Sequence, residues 1–74
     1  MLEKLTSLVR EYTNNTTIVL SKDMSIIKDL DVNSLDLVNL VVLIEDEFDI
    51  EIEDEEIKNL KTISDVMICI EAKL

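Results

Sequence analysis

Leu2, Leu5, Leu8, Val9 and Tyr12 fall at helical spacing and predict a first helix. Residues 13–17, Thr-Asn-Asn-Thr-Thr, then break the pattern with side chains that favour caps and turns. The connection from there to Asn33 is long but is no polar linker, because Ile18, Val19, Leu20, Met24, Ile26, Ile27, Leu30 and Val32 recur through it. These are the expected buried anchors of the loop, with a helical turn over residues 25–30. A second helix is predicted from Ser34 or Leu35 to Phe48. Asn33 precedes it as N-cap, and Asp36 stands three residues on, where an acid suits the positive end of the helix dipole. Leu37, Val38, Leu40, Val41, Val42, Leu43 and Ile44 cover most of its circumference, so this helix is expected to be central and buried on several sides.

Residues 48–53 alternate with period two, but no second strand is evident to pair with them. The reading is an extended connection with Ile50 and Ile52 turned inward. A short third helix is predicted over residues 54–60, with acids in its first turn and Lys58 near its end. Thr62 caps a fourth helix, with Asp65 three residues later, and Ile63, Val66, Met67, Ile70 and Leu74 form its apolar face. The pattern is therefore all-α, with four helices, a long first loop and a short third helix.

Composition narrows the picture. Seventy-four residues make one domain, residues 1–74. A chain of this size buries only roughly 60% of its unfolded surface, so its stability is expected to be modest. The absence of Gly and Pro argues against an all-β fold with many tight turns. Tyr12 and Phe48 are the only aromatics, so aliphatic side chains must fill the core. Seventeen acids against seven basic residues give a net charge of −10, which repels nucleic acid and anionic membranes and attracts basic protein surfaces. The hydrophobic content, 47%, is too high for a disordered chain. No apolar run approaches the roughly 18–20 residues of a membrane span, and the first residues lack a signal-peptide pattern. Cys69 is the sole cysteine, which excludes an internal disulfide. A monomer in a reducing cytoplasm is the expected setting.

Candidate chemistry is sparse. The chain has no histidine, the commonest general base and metal ligand. Ser34 has only Asp31, Asn33 and Asp36 as polar neighbours in sequence, so it is a poor nucleophile on its own, and the chain is not expected to be an enzyme. Yet Ser34 lies at a helix N-terminus, where free N–H groups and the dipole favour negative charge, so a phosphate ester there meets a receptive field. The competing reading is a serine that only helps start the helix. Residues 29–33 match the first ligands of a calcium loop, but Ser34 in place of glycine and Leu40 in place of a bidentate glutamate end the match, and no metal site is expected. Cys69, beside Ile68 and Ile70, reads as a buried, inert thiol. Of the nine acids in residues 45–56, Asp54, Glu55 and Glu56 suit the start of the third helix. Glu45, Asp46 and Glu47 sit in the last turn of the second, where the dipole disfavours each by about a few tenths of a kcal/mol. On the residues alone, a solvated acidic face and a docking surface for a basic partner are equally good readings.

Taken in order, the segments Ile27-Lys28-Asp29-Leu30, Ser34-Leu35-Asp36, Glu45-Asp46-Glu47-Phe48-Asp49-Ile50-Glu51-Ile52 and Asp54-Glu55-Glu56 resemble the acyl carrier proteins, with agreeing spacing and without insertions. The resemblance covers most of the chain and is strongest from Asp23 to Ile70. It implies a four-helix bundle with a long first loop and a short third helix. It also implies that a phosphopantetheinyl transferase, drawing on coenzyme A, attaches 4′-phosphopantetheine to Ser34, and that acyl groups ride on the arm as thioesters. The implied client is fatty acid biosynthesis, with a dedicated polyketide or aminoacyl carrier as the runner-up. An acidic helical adaptor without a prosthetic group is the reading from a different class. Implied partners are the transferase and acyl-transferring and chain-elongating enzymes with basic patches, docking on Leu35, Asp36, Val42, Glu45, Asp46 and Glu47. The chain departs from the family at Asp31, Asn33, Asn39 and Glu53, where glycine, aspartate, an acid and proline are usual.

Overall fold

The apolar spacing at the N-terminus yields α1 (Leu2–Thr13), which buries Leu5 and Val9 and ends on Asn14 in a left-handed conformation. The computed structural model describes residues 1–74 and shows four further helices: α2 (Ile26–Asp29), α3 (Ser34–Phe48), α4 (Asp54–Ile57) and α5 (Ile63–Glu71). The fold is all-α, and α3 packs against α1 and α2. The helical turn expected within the long first loop is a short helix of its own, so five helices replace the four predicted. Ser25 starts it: its Oγ accepts the N–H of Lys28 at 3.4 Å, while its own N–H donates to Asp29 Oδ2 at 2.6 Å.

The first loop is anchored as its apolar residues require. Leu20, Ile26, Leu30 and Val32 are buried, and Ile18 and Met24 are half-buried against the core. Val19 and Ile27 depart from the expectation and stay exposed. Neighbours on an extended or helical segment cannot all face one core. Backbone bonds hold this loop against the segment leading into α5. Ile26 donates to the Lys61 carbonyl at 2.9 Å, Ile63 to Met24 at 3.0 Å and Ser64 to Lys22 at 3.0 Å. Arg10 Nε reaches the Ile18 carbonyl at 2.7 Å and ties the loop back to α1.

α3 is central but is not buried on several sides. Leu37, Leu40, Val41 and Ile44 face the core, while Leu35, Val38, Val42 and Leu43 are exposed. None of the other four helices covers the second apolar side. After α3 the chain turns at Asp49, left-handed at φ 54°, and runs extended, with Ile52 buried and Ile50 half-buried as expected. α4 ends at Ile57, short of the predicted residue 60. Glu53 N–H donates to Glu56 Oε2 at 2.8 Å, a bond the proline usual in the resembled pattern lacks the donor to make.

Thr62 and Asp65 form the expected reciprocal cap of α5: Asp65 N–H donates to Thr62 Oγ1 at 3.2 Å and Thr62 N–H to Asp65 Oδ2 at 3.1 Å. The N–H groups of Thr62 and Lys61 hold the Asp65 carboxyl below the usual aspartate range. Ile63, Val66 and Ile70 are buried, Ile70 completely. Leu74, expected on the same face, is 71% exposed because the helix stops at Glu71 and releases it. Lys73 pairs with Glu56 at 3.0 Å and joins the chain end to α4. The N–H of Glu53 and the ammonium of Lys73 lower the Glu56 pKa, and Glu56 raises that of Lys73. Cys69 is half-buried rather than buried, and desolvation pushes its thiol up, away from the reactive thiolate. No helix is long and apolar enough to cross a membrane.

Candidate functional site

The geometry around Ser34 starts from two short-range features. Asp31 takes a left-handed conformation, φ 54°, that few side chains other than glycine tolerate. Asn33 then adopts an extended conformation, and its Oδ1 accepts the N–H of Asp36 at 2.8 Å. Asp36 Oδ2 returns the contact by accepting the N–H of Asn33 at 3.2 Å. This reciprocal cap satisfies two of the donors a helix start leaves without partners. The N–H groups of Ser34 and Leu35 lie between them and make no bond within the chain. Ser34 is the first residue of a 15-residue helix, exposed, with its hydroxyl unbonded. An exposed hydroxyl beside two free donors at the positive end of a long helix suits a phosphodiester.

Ser34 opens onto a groove of about 790 Å³ between α2, the start of α3, α4 and the turn that follows α4. Leu37 and Leu60 form its buried floor, with Ile27, Val38 and Ile57 on the walls and Asp54, Lys58 and Lys61 among its polar lining. The chain crosses this space at widely separated points in sequence, which is why the sequence reading did not assemble it.

Asp36 has a second engagement that sequence reasoning missed. Tyr12, near the end of α1, donates its hydroxyl to Asp36 Oδ1 at 2.8 Å. Asn39 Nδ2 in turn donates to the Tyr12 oxygen at 3.2 Å. The amide occupies one acceptor direction of the phenol and leaves its proton for the carboxylate. An acid at position 39, usual in the resembled pattern, has no hydrogen to donate there. Tyr12, 24 residues away, thus holds the first turn of α3. Its position one turn past Leu8 showed it to be on the helix, but nothing local pointed to its acceptor.

The other docking candidates separate into two groups. Leu35 and Val42, 70% and 56% exposed, share a strip of α3 with Val38, at the spacing of one helix face. Asp46, four residues beyond Val42, continues that strip, and Asp46 and Glu47 are exposed. Glu45 is half-buried and its Oε2 accepts the N–H of Ile52 at 2.8 Å. The expectation that all three acids of the last turn lack structural compensation is therefore corrected for Glu45: it fastens the segment that follows the helix.

Comparison with known proteins bears on what this arrangement does. A family model described as the phosphopantetheine attachment site matches residues 3–70. The acyl carrier protein of Kocuria rhizophila is 39% identical over 67 residues, spanning 90% of this chain and 83% of that protein. Among solved structures, the holo acyl carrier protein of Geobacter metallireducens superposes with a TM-score of 0.86 at 28% identity, covering 97% of this chain and 83% of that one. The acyl carrier protein of Thermotoga maritima does so with a TM-score of 0.85, also at 28% identity, covering 96% and 82%.

Proposed function

Because the chain belongs to the phosphopantetheine-dependent acyl carrier proteins, which are carriers and not enzymes, we propose that Ser34 bears the prosthetic group and that the carrier serves fatty acid biosynthesis in the cytoplasm. The observation that supports Ser34 is its exposed hydroxyl at the first turn of α3, beside the free N–H groups of Ser34 and Leu35. When bound, the phosphopantetheine arm supplies a terminal thiol that carries acyl groups as thioesters. The chain itself supplies position. In the attachment reaction Ser34 Oγ bonds to phosphorus, the phosphoanhydride bond of coenzyme A breaks, and the adenosine bisphosphate half departs. The hydroxyl proton goes to a base of the transferase, since this chain has no histidine and no basic side chain bonded to Ser34. The capping contacts of Asn33 and Asp36 leave the N–H groups of Ser34 and Leu35 free, and these would receive the ester oxygens of a phosphodiester on Ser34.

The aliphatic walls and floor of the groove beside Ser34 support a hydrocarbon cargo and hence the fatty acid reading. Docking partners are enzymes with basic patches that meet Leu35, Val42, Asp46 and Glu47, all on the helix that Ser34 begins.

Intact mass after incubation with coenzyme A and a broad-specificity phosphopantetheinyl transferase tests the attachment. The wild type should gain one phosphopantetheine and Ser34→Ala none, with the fold unchanged because Asn33 still caps α3. Equal mass gain in both proteins would assign the arm elsewhere.

A further inference from the structure

Both oxygens of the Asp36 carboxylate are engaged from inside the chain. Oδ2 accepts the N–H of Asn33 at 3.2 Å and closes the cap of α3, while Oδ1 accepts the Tyr12 hydroxyl at 2.8 Å. The cap bond is exposed, so water competes for it. The Tyr12 bond is part-buried, and its donor sits on a ring packed against the core, which leaves the hydroxyl little freedom to wander. Asp36 itself is half-buried.

Asn39 gives the Tyr12 bond its direction. Its amide nitrogen donates to the phenol oxygen at 3.2 Å, and the phenol's single proton is left for Asp36. A carboxylate at position 39 would undo this. It has no hydrogen for the phenol oxygen, it competes with Asp36 for the one proton, and it sets a like charge one turn from Asp36 on the same helix. Tyr12 and Asn39 are thus matched to each other. The first turn they hold carries the Ser34 hydroxyl and the unbonded N–H groups of Ser34 and Leu35. A reacting group displaced by about 1 Å can lose on the order of a hundredfold in rate, so a fixed first turn bears on chemistry there.

We propose that Tyr12 and Asn39 are positioning residues for the modification of Ser34: they fix Asp36, Asp36 fixes the cap, and the cap fixes the hydroxyl that attacks phosphorus. The proposal rests on attachment at Ser34, though not on the pathway served. Neither residue gives or takes a proton in that step. The bond formed, the bond broken and the transferase base that receives the proton are those already described.

The test follows single-turnover modification by a broad-specificity transferase with coenzyme A. It compares the wild type, Tyr12→Phe, Asn39→Asp and the double variant, at a temperature where thermal melts show all four folded. Tyr12→Phe should lower the rate at saturating transferase about three- to tenfold, the scale of one hydrogen bond, with the half-saturating concentration within about twofold of wild type. Asn39→Asp should also lower the saturated rate, but not in the Tyr12→Phe background, where the phenol it acts through is gone. A docking role for position 39 predicts otherwise: the added acid would lower the half-saturating concentration equally in both backgrounds and spare the saturated rate. Apart from the reaction, the amide resonances of Asn33 and Asp36 should shift in both single variants of the unmodified protein. Those of Thr62 and Asp65, the like cap of α5, should stay in place. An unchanged saturated rate in Tyr12→Phe overturns the proposal, as do unmoved resonances at Asn33 and Asp36 or an equal effect of Asn39→Asp in both backgrounds. Ser34→Ala, run alongside, separates the two readings. A mass gain in it overturns attachment at Ser34 and the proposal with it, whereas no gain there and a full rate in Tyr12→Phe overturn the positioning role alone.

Discussion

The two ends of α3 both carry acids, in opposite electrostatic settings. At the N-terminal end Asp36 suits the dipole, closes the reciprocal cap with Asn33 and accepts the Tyr12 hydroxyl. At the C-terminal end Glu45, Asp46 and Glu47 oppose the dipole, and only Glu45 has a partner, the N–H of Ile52. The N-terminal end is held from within its own turn and from α1. At the C-terminal end one acid of the three is tied, Phe48 packs against the core under Lys4 of α1, and two carboxylates stay free. Acidity alone therefore does not mark a docking residue. What matters is whether the carboxylate already has a partner inside the molecule, since a bound one gives up structure when a second partner takes it.

The sharpest way to break this contrast is to remove the acid from the tied end. Asp36→Ala deletes two contacts and should lower stability by about 1–2 kcal/mol. In a domain of this size that lowers Tm by about 4 to 16 °C. Tyr12→Phe keeps the ring against the core and deletes its bonds with Asp36 and with Asn39, the latter exposed, so it should cost about 1 kcal/mol, which a thermal melt resolves. If neither variant melts lower, the N-terminal acid is as free as those at the other end.

A smaller loss is expected at the one tied acid of the C-terminal end. Glu45→Ala should cost about 0.5–1 kcal/mol, the lost bond to Ile52 being partly offset by relief of the dipole. Amide exchange at Ile52 should quicken with it. Unchanged exchange would place Glu45 with the docking acids.

The smallest effect on stability and the clearest on association belong to the free acids. Asp46→Lys/Glu47→Lys should leave Tm unchanged or raise it slightly, because each substitution favours the helix dipole by about 0.3–1 kcal/mol. Modification by the transferase should nonetheless slow several-fold at low salt, and the gap from wild type should close as salt rises. Equal rates at low salt would make this end a solvated surface. Glu45 is left out of the pair because its substitution would mix docking with the fastening of residue 52.

Much of this was legible in the residue order. The starts of α3 and α5 followed from Asn33 with Asp36 and from Thr62 with Asp65, since an N-terminal cap links residues only three apart. The apolar spacing placed Leu5, Val9, Ile63, Val66 and Ile70 in the core. The expected burial of α3 on several sides failed because periodicity counts apolar residues without counting the elements available to cover them. Leu74 failed for a related reason: spacing extends a face past the residue where the helix stops.

The sequence by itself determined the helices, their caps, the aliphatic core, the acid surplus and the serine at the start of α3, because each depends on neighbours within about one or two turns. Only the tertiary structure decided that Tyr12 reaches Asp36, that Glu45 is engaged while Asp46 and Glu47 are not, and that two unpaired lysines share a groove with Ser34. Those relations join residues from different elements. Their distances are set by how α1, α2 and α4 pack around α3, which no spacing along the chain encodes.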